Sequence, residues 1–491
     1  MRLGALAARA ALPRAALPLA GDYENANVTG FAIDHRKVAP GTVFGAFVGA
    51  AVNGEDFIPA AIAAGAIAVV AREDARVTGA LHIASAVPRR TFARLAAGFF
   101  TPVPETIAAI TGTNGKTSCV ELTRQLWRMA GHRAASIGTL GVTTADETVS
   151  TGLTTPDIVT FLANLGGLAR EGVTHLAYEA SSHGLAQFRN EGPRVAAGAF
   201  TNLSRDHLDY HATMDDYFAA KMRLFDEIVA DEGAGVVWAD DVWSQRATER
   251  VRGRGLRLLT VGERGDSIRL LARSATLLGQ TLEIAYEGAQ HTVTLPLIGA
   301  YQAANALVSA ALVIATGGDA DETFAALARL QPVRGRLERA ALTPAGAPVY
   351  VDYAHTPDAL EAAIAALRPH TAGRLIAVFG AGGARDQGKR PEMARKACAL
   401  ADVVIVTDDN PRGEDPAAIR AMILAGAKGA REIADRRAAI AAAVGEARSG
   451  DIVLIAGKGH EQGQIVGAGE DMRILPFDDV EVARECAGAI A

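Results

Sequence analysis

The stretch TIAAITGTNGKTS, from Thr106 to Ser118, is the most informative part of this chain. A short apolar strand runs into a glycine-rich turn that ends Gly115-Lys116-Thr117, and the helical pattern SCVELTRQLWRMA follows. Glycines let the backbone approach a phosphate with its N–H groups turned inward, and the start of the helix adds partial positive charge. A lysine here reaches the outer phosphates, and a threonine hydroxyl can ligate Mg²⁺. The stretch therefore predicts a site for nucleotide phosphates.

The glycine spacing departs from the standard GxxxxGK[ST] loop. The first glycine of that pattern would fall at Ile110, so the loop present here is the shorter G-T-N-G-K-T from Gly112 to Thr117. The alternative interpretation is a tight strand–helix turn that merely contains glycines. The Lys116-Thr117 pair, with the correct strand before it and helix after it, favours nucleotide binding.

Length and composition exclude several classes of protein. A chain of 491 residues is too long for one ordinary core and predicts several domains. Its 49% hydrophobic and 21% charged residues are typical of a globular protein, and a net charge of −6 argues against broad nucleic-acid binding. Three widely spaced cysteines argue against a disulfide framework, and no apolar run is long enough to span a membrane. We expect a monomeric cytoplasmic protein without nucleic-acid partners or membrane insertion.

The order of predicted elements indicates an α/β protein. Short β-branched runs alternate with Ala/Leu-rich helical stretches, which predicts mostly parallel sheets covered by helices. We divide the chain into a small α/β N-terminal domain (1–100), a central P-loop-type ATPase domain with a mostly parallel sheet (101–330) and a C-terminal Rossmann-like α/β domain (331–491). Within the central domain, residues 282–297 alternate around a turn and predict a β-hairpin.

Polar side chains also follow apolar strands in the central domain. Glu179 follows the strand THLAY, and His207 comes directly after another strand. Each alone is typical of an ordinary loop residue, but beside Lys116 and Thr117 they favour a Mg²⁺–triphosphate site. Lys221 lies on a predicted helix. Its surroundings alone predict a lysine whose stem covers apolar surface while its head reaches water.

Four predicted strands of the C-terminal domain each end in a polar or glycine-rich loop. The loops are Asp352–His355, Arg385–Arg390, Asp409–Arg412 and Gly457–Glu461. Ligands of open α/β sheets bind at the carboxyl ends of the strands. Guanidinium groups grip carboxylates, and carboxylates accept from ammonium groups, so the loops favour one shared site for a zwitterionic ligand over separate solvated loops.

An ordered set of motifs along nearly the whole chain resembles the Mur ligase family, ATP-dependent amide-forming enzymes of peptidoglycan precursor synthesis. The motifs are DHRKVAPGTVF, TGTNGKTS, TTPD, EASSHGL, NLSRDHLDYH, AAKMRLF, GRLE, DYAHTPDAL, GARDQGKR, DNPR and GKGHE. DYAHTPDAL, DNPR and GKGHE look like the member that adds meso-diaminopimelate to the D-glutamate γ-carboxylate of UDP-N-acetylmuramoyl-L-alanyl-D-glutamate. The resemblance implies an ADP-forming ligase that works through an acyl phosphate.

Three alternatives stay open at this point. DNPR argues against a lysine-adding relative, and the long segment around DHRKVAPG argues against a folylpolyglutamate synthase. A non-catalytic ATP-driven switch is an answer of another class. Such a switch would not need four polar loops in the C-terminal domain.

The resemblance assigns a role to each matching residue. It implies that ATP is bound by Gly112, Thr113, Asn114, Gly115, Lys116, Thr117, Ser118, Arg336 and His355. It implies that Mg²⁺ is held by Thr117, Glu179, His207 and Lys221, the last as a carbamate formed with CO₂ (N6-carboxylysine). Catalytic roles fall to Lys116, Glu179, His207 and Lys221.

The substrate sites follow in the same way. The resemblance implies uridine binding by the N-terminal domain, and contacts to the UDP-muramoyl-dipeptide by His35, Thr154, Thr155, Asp157, Ser182, Gln187 and Arg189. It implies a diaminopimelate pocket of Arg385, Asp409, Asn410, Arg412, Gly457 and Glu461. Three positions depart from the family pattern: His35 replaces a usual serine, Ala384 a common aspartate and Gly463 a frequent aromatic residue.

Overall fold

The computed structural model describes residues 1–10, 23–49, 52–149, 154–208, 210–276 and 279–488. The chain forms two compact units, which consist of Met1–Leu259 with Leu312–Gly318, and of Thr260–Ala311 with Asp319–Ala491. Among the described residues, no helix has the length and apolar character needed to cross a membrane. The division into domains at 1–100, 101–330 and 331–491 stays a prediction.

The helices follow in chain order. They are α1 Leu3–Arg9, α2 Ile58–Ala63, α3 Pro88–Phe99, α4 Lys116–Met129, α5 Ile158–Arg170, α6 Ser182–Ala186, α7 Met214–Arg223, α8 Ser244–Gly253, α9 Ala300–Ala315, α10 Ala320–Ala326, α11 Pro357–Leu367, α12 Lys389–Leu400, α13 Pro416–Leu424, α14 Arg436–Glu446 and α15 Asp479–Cys486.

The strands alternate with these helices. They are β1 Gly30–Ala32, β2 Thr42–Gly45, β3 Ala66–Ala71, β4 Leu81–Ala84, β5 Thr106–Thr111, β6 Ala134–Gly138, β7 Gly141–Thr143, β8 Thr148–Val149, β9 His175–Glu179, β10 Val195–Phe200, β11 Val229–Trp238, β12 Arg257–Gly262, β13 Ile268–Thr276, β14 Gly279–Tyr286, β15 Ala289–Leu295, β16 Arg336–Leu342, β17 Pro348–Asp352, β18 Leu375–Phe379, β19 Val403–Val406, β20 Arg431–Glu432, β21 Ile452–Ala456, β22 Gly463–Val466 and β23 Arg473–Pro476.

The first unit contains two sheets. One is the parallel sheet β1-β2-β3-β4, and the other runs β11-β10-β5-β9-β6-β7-β8. The strands of this larger sheet are parallel from β11 to β6, and its central strand β5 is buried from Ile107 to Thr111. A continuous apolar run is expected where both faces of a parallel strand are covered. The carboxyl end of β5 leads into the glycine turn, and α4 begins at Lys116.

The second unit contains a six-stranded sheet between two layers of helices. The strand order is β16-β17-β21-β18-β19-β20, and the pairs from β17 to β20 are parallel. Successive side chains of a strand point to opposite faces. Leu375, Ala377 and Phe379 of β18 accordingly pack with α11, α12 and α13, whereas Ile376 and Val378 pack with α14 and α15. This arrangement confirms the predicted α/β class.

The predicted hairpin is also present in the second unit. Strands β14 and β15 pair antiparallel from Gln280–Leu295 to Tyr286–Ala289. The turn residues Glu287 and Gly288 both have positive φ, as a two-residue hairpin turn requires.

Candidate active site

The phosphate loop is held by the carboxyl end of the neighbouring strand β10. Gly112 has a φ of 145°, and a Cβ at this position would collide with the Thr201 hydroxyl, so only glycine fits. The Thr201 hydroxyl donates to the Asn114 carbonyl at 2.6 Å, and the Asn114 N–H donates to Asn202 Oδ1 at 2.9 Å. The Thr113 N–H donates to the Asn202 carbonyl at 2.9 Å. These bonds fix the loop before any ligand binds.

Two lysine ammonium groups converge on the carbonyls of this loop. Lys116 Nζ donates to the carbonyls of Gly112 at 3.0 Å and Thr113 at 2.8 Å. Lys221 Nζ donates to the same Gly112 carbonyl at 2.7 Å. The next residues of α4, Thr117 and Ser118, are buried at the start of the helix. The loop therefore gathers positive charge where the phosphates of a nucleotide would lie.

The prediction that the head of Lys221 reaches water is wrong. Its side chain lies on the inner face of α7 with 1% exposure, and Nζ sits 4.3 Å from the centre of the Tyr217 ring. Burial and the charge of Lys116 hold the pKa of Lys221 well below its usual value, although Asp206 opposes them. A lysine amine whose pKa is lowered in this way loses its proton more readily, and the deprotonated form is the nucleophile.

Glu179 is buried at the carboxyl end of β9. Its Oε1 accepts from the Thr139 N–H at 2.7 Å, and its Oε2 lies 3.2 Å from the Thr139 hydroxyl. That hydroxyl also lies 3.1 Å from the hydroxyl of Thr154. The structure thus connects the predicted metal ligand Glu179 to the predicted dipeptide contact Thr154.

His207 adopts the left-handed region with a φ of 53°. Such strained residues concentrate at functional sites. Its ring lies edge-on to His183 at 4.8 Å, and its Nε2 is 3.5 Å from Asp206. Partial burial lowers the pKa of His207 to about 4; Asp206 opposes this change and Lys116 adds to it. The imidazole is therefore neutral at pH 7, the form that ligates metals.

Several residues predicted to contact the dipeptide are linked by hydrogen bonds. Thr155 is linked to Ser181 through their hydroxyls at 2.9 Å, and its carbonyl accepts from Arg189 at 3.0 Å. Arg189 also donates to Gln187 Oε1 at 2.5 Å, and Gln187 donates to Tyr210 at 3.1 Å.

Ser182 and Asp157 belong to the same region but differ in their bonding. The Ser182 hydroxyl is buried with no hydrogen-bond partner among the described residues. Asp157 caps α5 by accepting from the N–H groups of Val159 and Thr160. The carboxylate of Asp157 is thus already engaged in local structure.

His35 lies in a short 3₁₀ turn of the first unit. Its ring stacks on Phe57 with centroids 4.4 Å apart and planes inclined by 4°. The carboxylate of Asp34 accepts from the Arg36 N–H and begins the turn. One face of the imidazole is therefore used in packing, a role that the usual serine does not fill.

Arg336 and His355, predicted to contact the nucleotide, lie in the second unit around Tyr353. The Arg336 guanidinium is 4.5 Å above the Tyr353 ring, and His355 Nδ1 is 2.9 Å from the Tyr353 carbonyl. Lys389 Nζ donates to the His355 carbonyl at 2.8 Å.

The predicted amino-acid pocket lies at the carboxyl ends of β18, β19 and β21. The Gly383 N–H donates to the Asn410 carbonyl at 2.9 Å, and Arg412 donates to the Gly383 carbonyl at 2.9 Å. The Arg412 N–H donates to Ile465 of β22 at 3.0 Å. Arg412 has a φ of 53°, and Arg385 beside it is exposed. The structure therefore brings these loops together.

Asn410 is held by both ends of its amide. Its Oδ1 accepts from Lys458 Nζ at 2.7 Å and from the Ile465 N–H at 2.9 Å, while its Nδ2 donates to Glu461 Oε2 at 2.7 Å. An amide with donors on one side and an acceptor on the other has only one workable orientation. Asn410 therefore orients the carboxylate of Glu461.

Charges of both signs alternate in this pocket. Lys458 Nζ lies 3.7 Å from Asp409 and 3.9 Å from Glu461. Burial, and then Asp409, raises the pKa of Glu461, while burial and Arg385 lower the pKa of Arg412. Gly457 has a φ of 119°, and a Cβ there would strike the Asp409 carboxylate. A larger residue could not sit at this point.

The sequence analysis assigned no individual role to four residues of these sites. They are Thr139, Asn202, Tyr217 and Lys458. Thr139 follows β6 and Asn202 follows β10, so the strand-end rule used for Glu179 could have found both. Tyr217 precedes Lys221 by one helical turn, and Lys458 stands inside the GKGHE motif.

Comparison with known proteins agrees with this geometry. The chain matches three family profiles: the Mur ligase family catalytic domain over residues 27–98, the Mur ligase middle domain over 110–313 and the Mur ligase glutamate ligase domain over 335–459. The chain belongs to the Mur ligase family.

Individual relatives cover almost the whole chain. It is 60% identical to the UDP-N-acetylmuramoyl-L-alanyl-D-glutamate–2,6-diaminopimelate ligase of Zymomonas mobilis, over 93% of this chain and 94% of that protein. It is 53% identical to the protein of the same name from Bradyrhizobium diazoefficiens, over 94% and 96%. A solved structure of a ligase with this name is 32% identical, with a TM-score of 0.71 over 97% of this chain and 98% of that one.

Proposed function

We propose that this chain is the ATP-dependent, ADP-forming ligase that adds meso-diaminopimelate to the D-glutamate γ-carboxylate of UDP-N-acetylmuramoyl-L-alanyl-D-glutamate. The observation that carries the proposal is Arg412 of DNPR, held among the carboxylates and amides of three strand-end loops. The named relatives with 60% and 53% identity support the same activity. Its cytoplasmic location and monomeric state stay predictions.

The phosphate loop prepares the nucleotide for transfer. Phosphoryl transfer needs positioning and charge neutralisation more than covalent participation by the protein. The main chain at the start of α4, from Gly115 to Thr117, would hold the phosphates, while Lys116 would move its ammonium from the loop carbonyls to the γ-phosphate. Arg336 and His355 would contact the nucleotide from the C-terminal part of the chain.

The residues around the loop fit Mg²⁺. The part of the chain that the structure describes contains no group of three or more His, Cys, Asp or Glu side chains placed to hold a metal. Nucleotide-bound Mg²⁺ keeps several waters and takes only one or two protein ligands besides phosphates. Thr117, Glu179 and His207 would hold it, and the ion supplies neutralisation of the transferring phosphoryl group.

Lys221 has the surroundings needed to react with CO₂. Its amine is buried and hydrogen-bonded to the Gly112 carbonyl, and burial lowers its pKa. Attack on CO₂ forms an Nζ–C bond and releases a proton, which leaves a carbamate anion. The anion would remove the repulsion between Lys221 and Lys116 and add a negative ligand for Mg²⁺.

The chain then controls two successive transfers on the substrate. The D-glutamate γ-carboxylate attacks the γ-phosphate, and ADP leaves; the amine of diaminopimelate attacks the acyl phosphate, forms the amide, releases a proton and expels phosphate. Gln187, Arg189 and Thr155 would hold the dipeptide, while Asp409, Asn410 and Glu461 would aim the amine. Correct alignment of two bound reactants is worth up to about 7–11 kcal/mol of the barrier.

Arg412 gives the pocket its selectivity. Diaminopimelate carries a second carboxylate that lysine lacks, and a guanidinium can bind it with two parallel hydrogen bonds. With lysine, the guanidinium would remain partly buried without an anionic partner, so the wrong substrate is penalised as well as unrewarded.

One assay separates the candidate functions. Purified protein is incubated with ATP, Mg²⁺ and UDP-N-acetylmuramoyl-L-alanyl-D-glutamate, with either meso-diaminopimelate or L-lysine, while phosphate release and product mass are followed. A tripeptide product with diaminopimelate alone is the expected result. Product with lysine would overturn the pocket assignment, and phosphate release without product would favour an ATP-driven switch.

A further inference from the structure

The second unit contains a fully buried ion pair that the proposed mechanism does not use. Arg436 is the first residue of α14 and Asp479 the first of α15, and both side chains have 0% exposure. Arg436 Nε lies 2.8 Å from Asp479 Oδ1, and one terminal nitrogen lies 2.7 Å from Oδ2. The two groups therefore form a bidentate pair away from solvent.

The rest of the Arg436 guanidinium binds the main chain of two pocket loops. One terminal nitrogen donates to the Ala456 carbonyl at 3.0 Å, and the other donates to the Asp408 carbonyl at 3.3 Å. Ala456 ends β21 and precedes Gly457, whereas Asp408 follows β19 and precedes Asp409. A single side chain thus joins the starts of the two loops that form most of the pocket.

The pair is also electrostatically connected to the pocket. Burial disfavours the charge of Arg436, but Asp479 together with Asp409 and Glu461 raises the pKa of Arg436 above its usual value. Its guanidinium therefore remains charged and offsets the repulsion between those two pocket carboxylates.

Stability alone is a weak explanation for this pair. Removing two charges from water costs so much that apolar residues of similar size often stabilise a protein equally well. A comparable pair, Arg374 with Asp451, lies at the amino ends of β18 and β21, whereas the pocket lies at their carboxyl ends. A terminal nitrogen of Arg374 is 2.8 Å from Asp451 Oδ2. Arg374 is 39% exposed, so of these two pairs only the one beside the pocket is fully buried.

We infer that Arg436 is a positioning residue of the amino-acid pocket. It fixes the Asp409–Asn410 segment relative to the Gly457–Glu461 segment through the carbonyls of Asp408 and Ala456. Both segments are then correctly placed to contact the bound amino acid. This inference rests on the proposed function and assigns no contact between Arg436 and substrate.

The test compares three variants with the wild type by steady-state kinetics for each substrate at a temperature where all are folded. Arg436→Met combined with Asp479→Leu removes both charges, Arg436→Lys keeps the charge, and Arg374→Met is the matched control. We expect the double variant to raise KM for diaminopimelate at least about 10-fold, since misplacement of about 1 Å can cost about 100-fold. Arg436→Lys should give a smaller rise, and KM for ATP should stay within about 2-fold in both.

The outcomes are distinct. A selective rise in KM for diaminopimelate, absent in Arg374→Met, supports a positioning role. A fall in melting temperature with unchanged KM values, or an equal rise in all three KM values, overturns it and leaves a structural role. Arg436→Lys provides the same readout if the double variant does not fold. Failure of the wild-type protein to use diaminopimelate would refute the proposed function instead, in a separate measurement.

Discussion

The phosphate loop of the first unit and the amino-acid pocket of the second unit are built on opposite electrostatic plans. In the loop, two lysines bind main-chain carbonyls, and Lys221 and Lys116 repel each other. In the pocket, Lys458 lies between Asp409 and Glu461, so cation and anion alternate. The first plan suits a ligand with many negative charges. The second suits a zwitterion, whose charges must be matched one by one.

The difference predicts where each region is fragile. The loop depends on two lysines directed at one place, so loss of either should abolish the chemistry. The pocket spreads recognition over several side chains, so loss of one should change the choice of substrate more than the chemistry. Variants that reverse this order would show that the two regions do not differ in this way.

The largest effect is expected for Lys116→Met. Removing one donor aimed at developing charge costs about 100- to 1,000-fold in other enzymes, and Lys116 neutralises a full charge, so we expect kcat to fall at least about 1,000-fold. Phosphate release is the measurement. Lys396→Met removes a lysine of the second unit that pairs with Asp358 and Glu361, and it should leave kcat within about 2-fold because surface pairs contribute little.

A slightly smaller loss is expected for Lys221→Ala, by about 100- to 1,000-fold in kcat, because the carbamate charge is lost. Propionate or formate, whose carboxylate can occupy the space of the carbamate, should restore part of the activity. Lys221→Arg keeps a positive charge, cannot form the carbamate and should stay inactive. Full activity of Lys221→Arg would contradict the carbamate.

Arg412→Ala tests the amino-acid pocket, where we expect the choice of substrate to change more than the chemistry. A hydrogen-bonded pair between charged groups is worth up to about 3 kcal/mol, so KM for diaminopimelate should rise about 100-fold while KM for ATP changes little. Arg412→Lys retains the charge but cannot form two parallel hydrogen bonds, so its KM for diaminopimelate should lie between those of the wild type and Arg412→Ala. Competition between diaminopimelate and L-lysine is the measurement. An equal rise in KM for ATP and for diaminopimelate would show that Arg412 does not bind diaminopimelate.

The smallest effect concerns stability and pH at Asp352, which ends β17. Burial raises the pKa of Asp352 from 3.8 to about 6, despite N–H donors from Leu337 and Ala354. The folded chain therefore binds this proton more tightly than the unfolded chain, and this group's contribution to the free energy of unfolding falls as pH rises from about 4 to 6. Between pH 4.5 and 7 the decrease should be about 2 kcal/mol.

Asp352→Asn should remove that part of the pH dependence. Denaturant unfolding of both proteins at pH 4.5 and pH 7 measures it, because the constant cost of the altered hydrogen bonds cancels in the difference. The same pH dependence in both proteins would show that Asp352 does not carry the shift.

Much of the fold followed from local pattern. The apolar runs of β5, β18 and β21 are continuous because both faces are buried, and this is visible in the chain itself. The hairpin at 282–297 was predicted from its alternation and turn. The site was predictable where chemistry sits directly after a strand, as for Glu179. The burial of Lys221 was not predictable from local pattern, because its surroundings include Gly112, which is 109 residues away, and only the family resemblance assigned this lysine to the site.

The α/β class, the phosphate loop and the polar loops that follow the strands can be predicted from the amino-acid sequence alone, because period, glycine placement and strand-end position are properties of neighbouring residues. The folded structure was needed to learn that Lys221 is buried against the loop, that Asn410 orients Glu461 and that Arg436 joins two loops. Burial and charge pairing depend on residues far apart in the chain. Their energies therefore arise only when the fold brings those residues together.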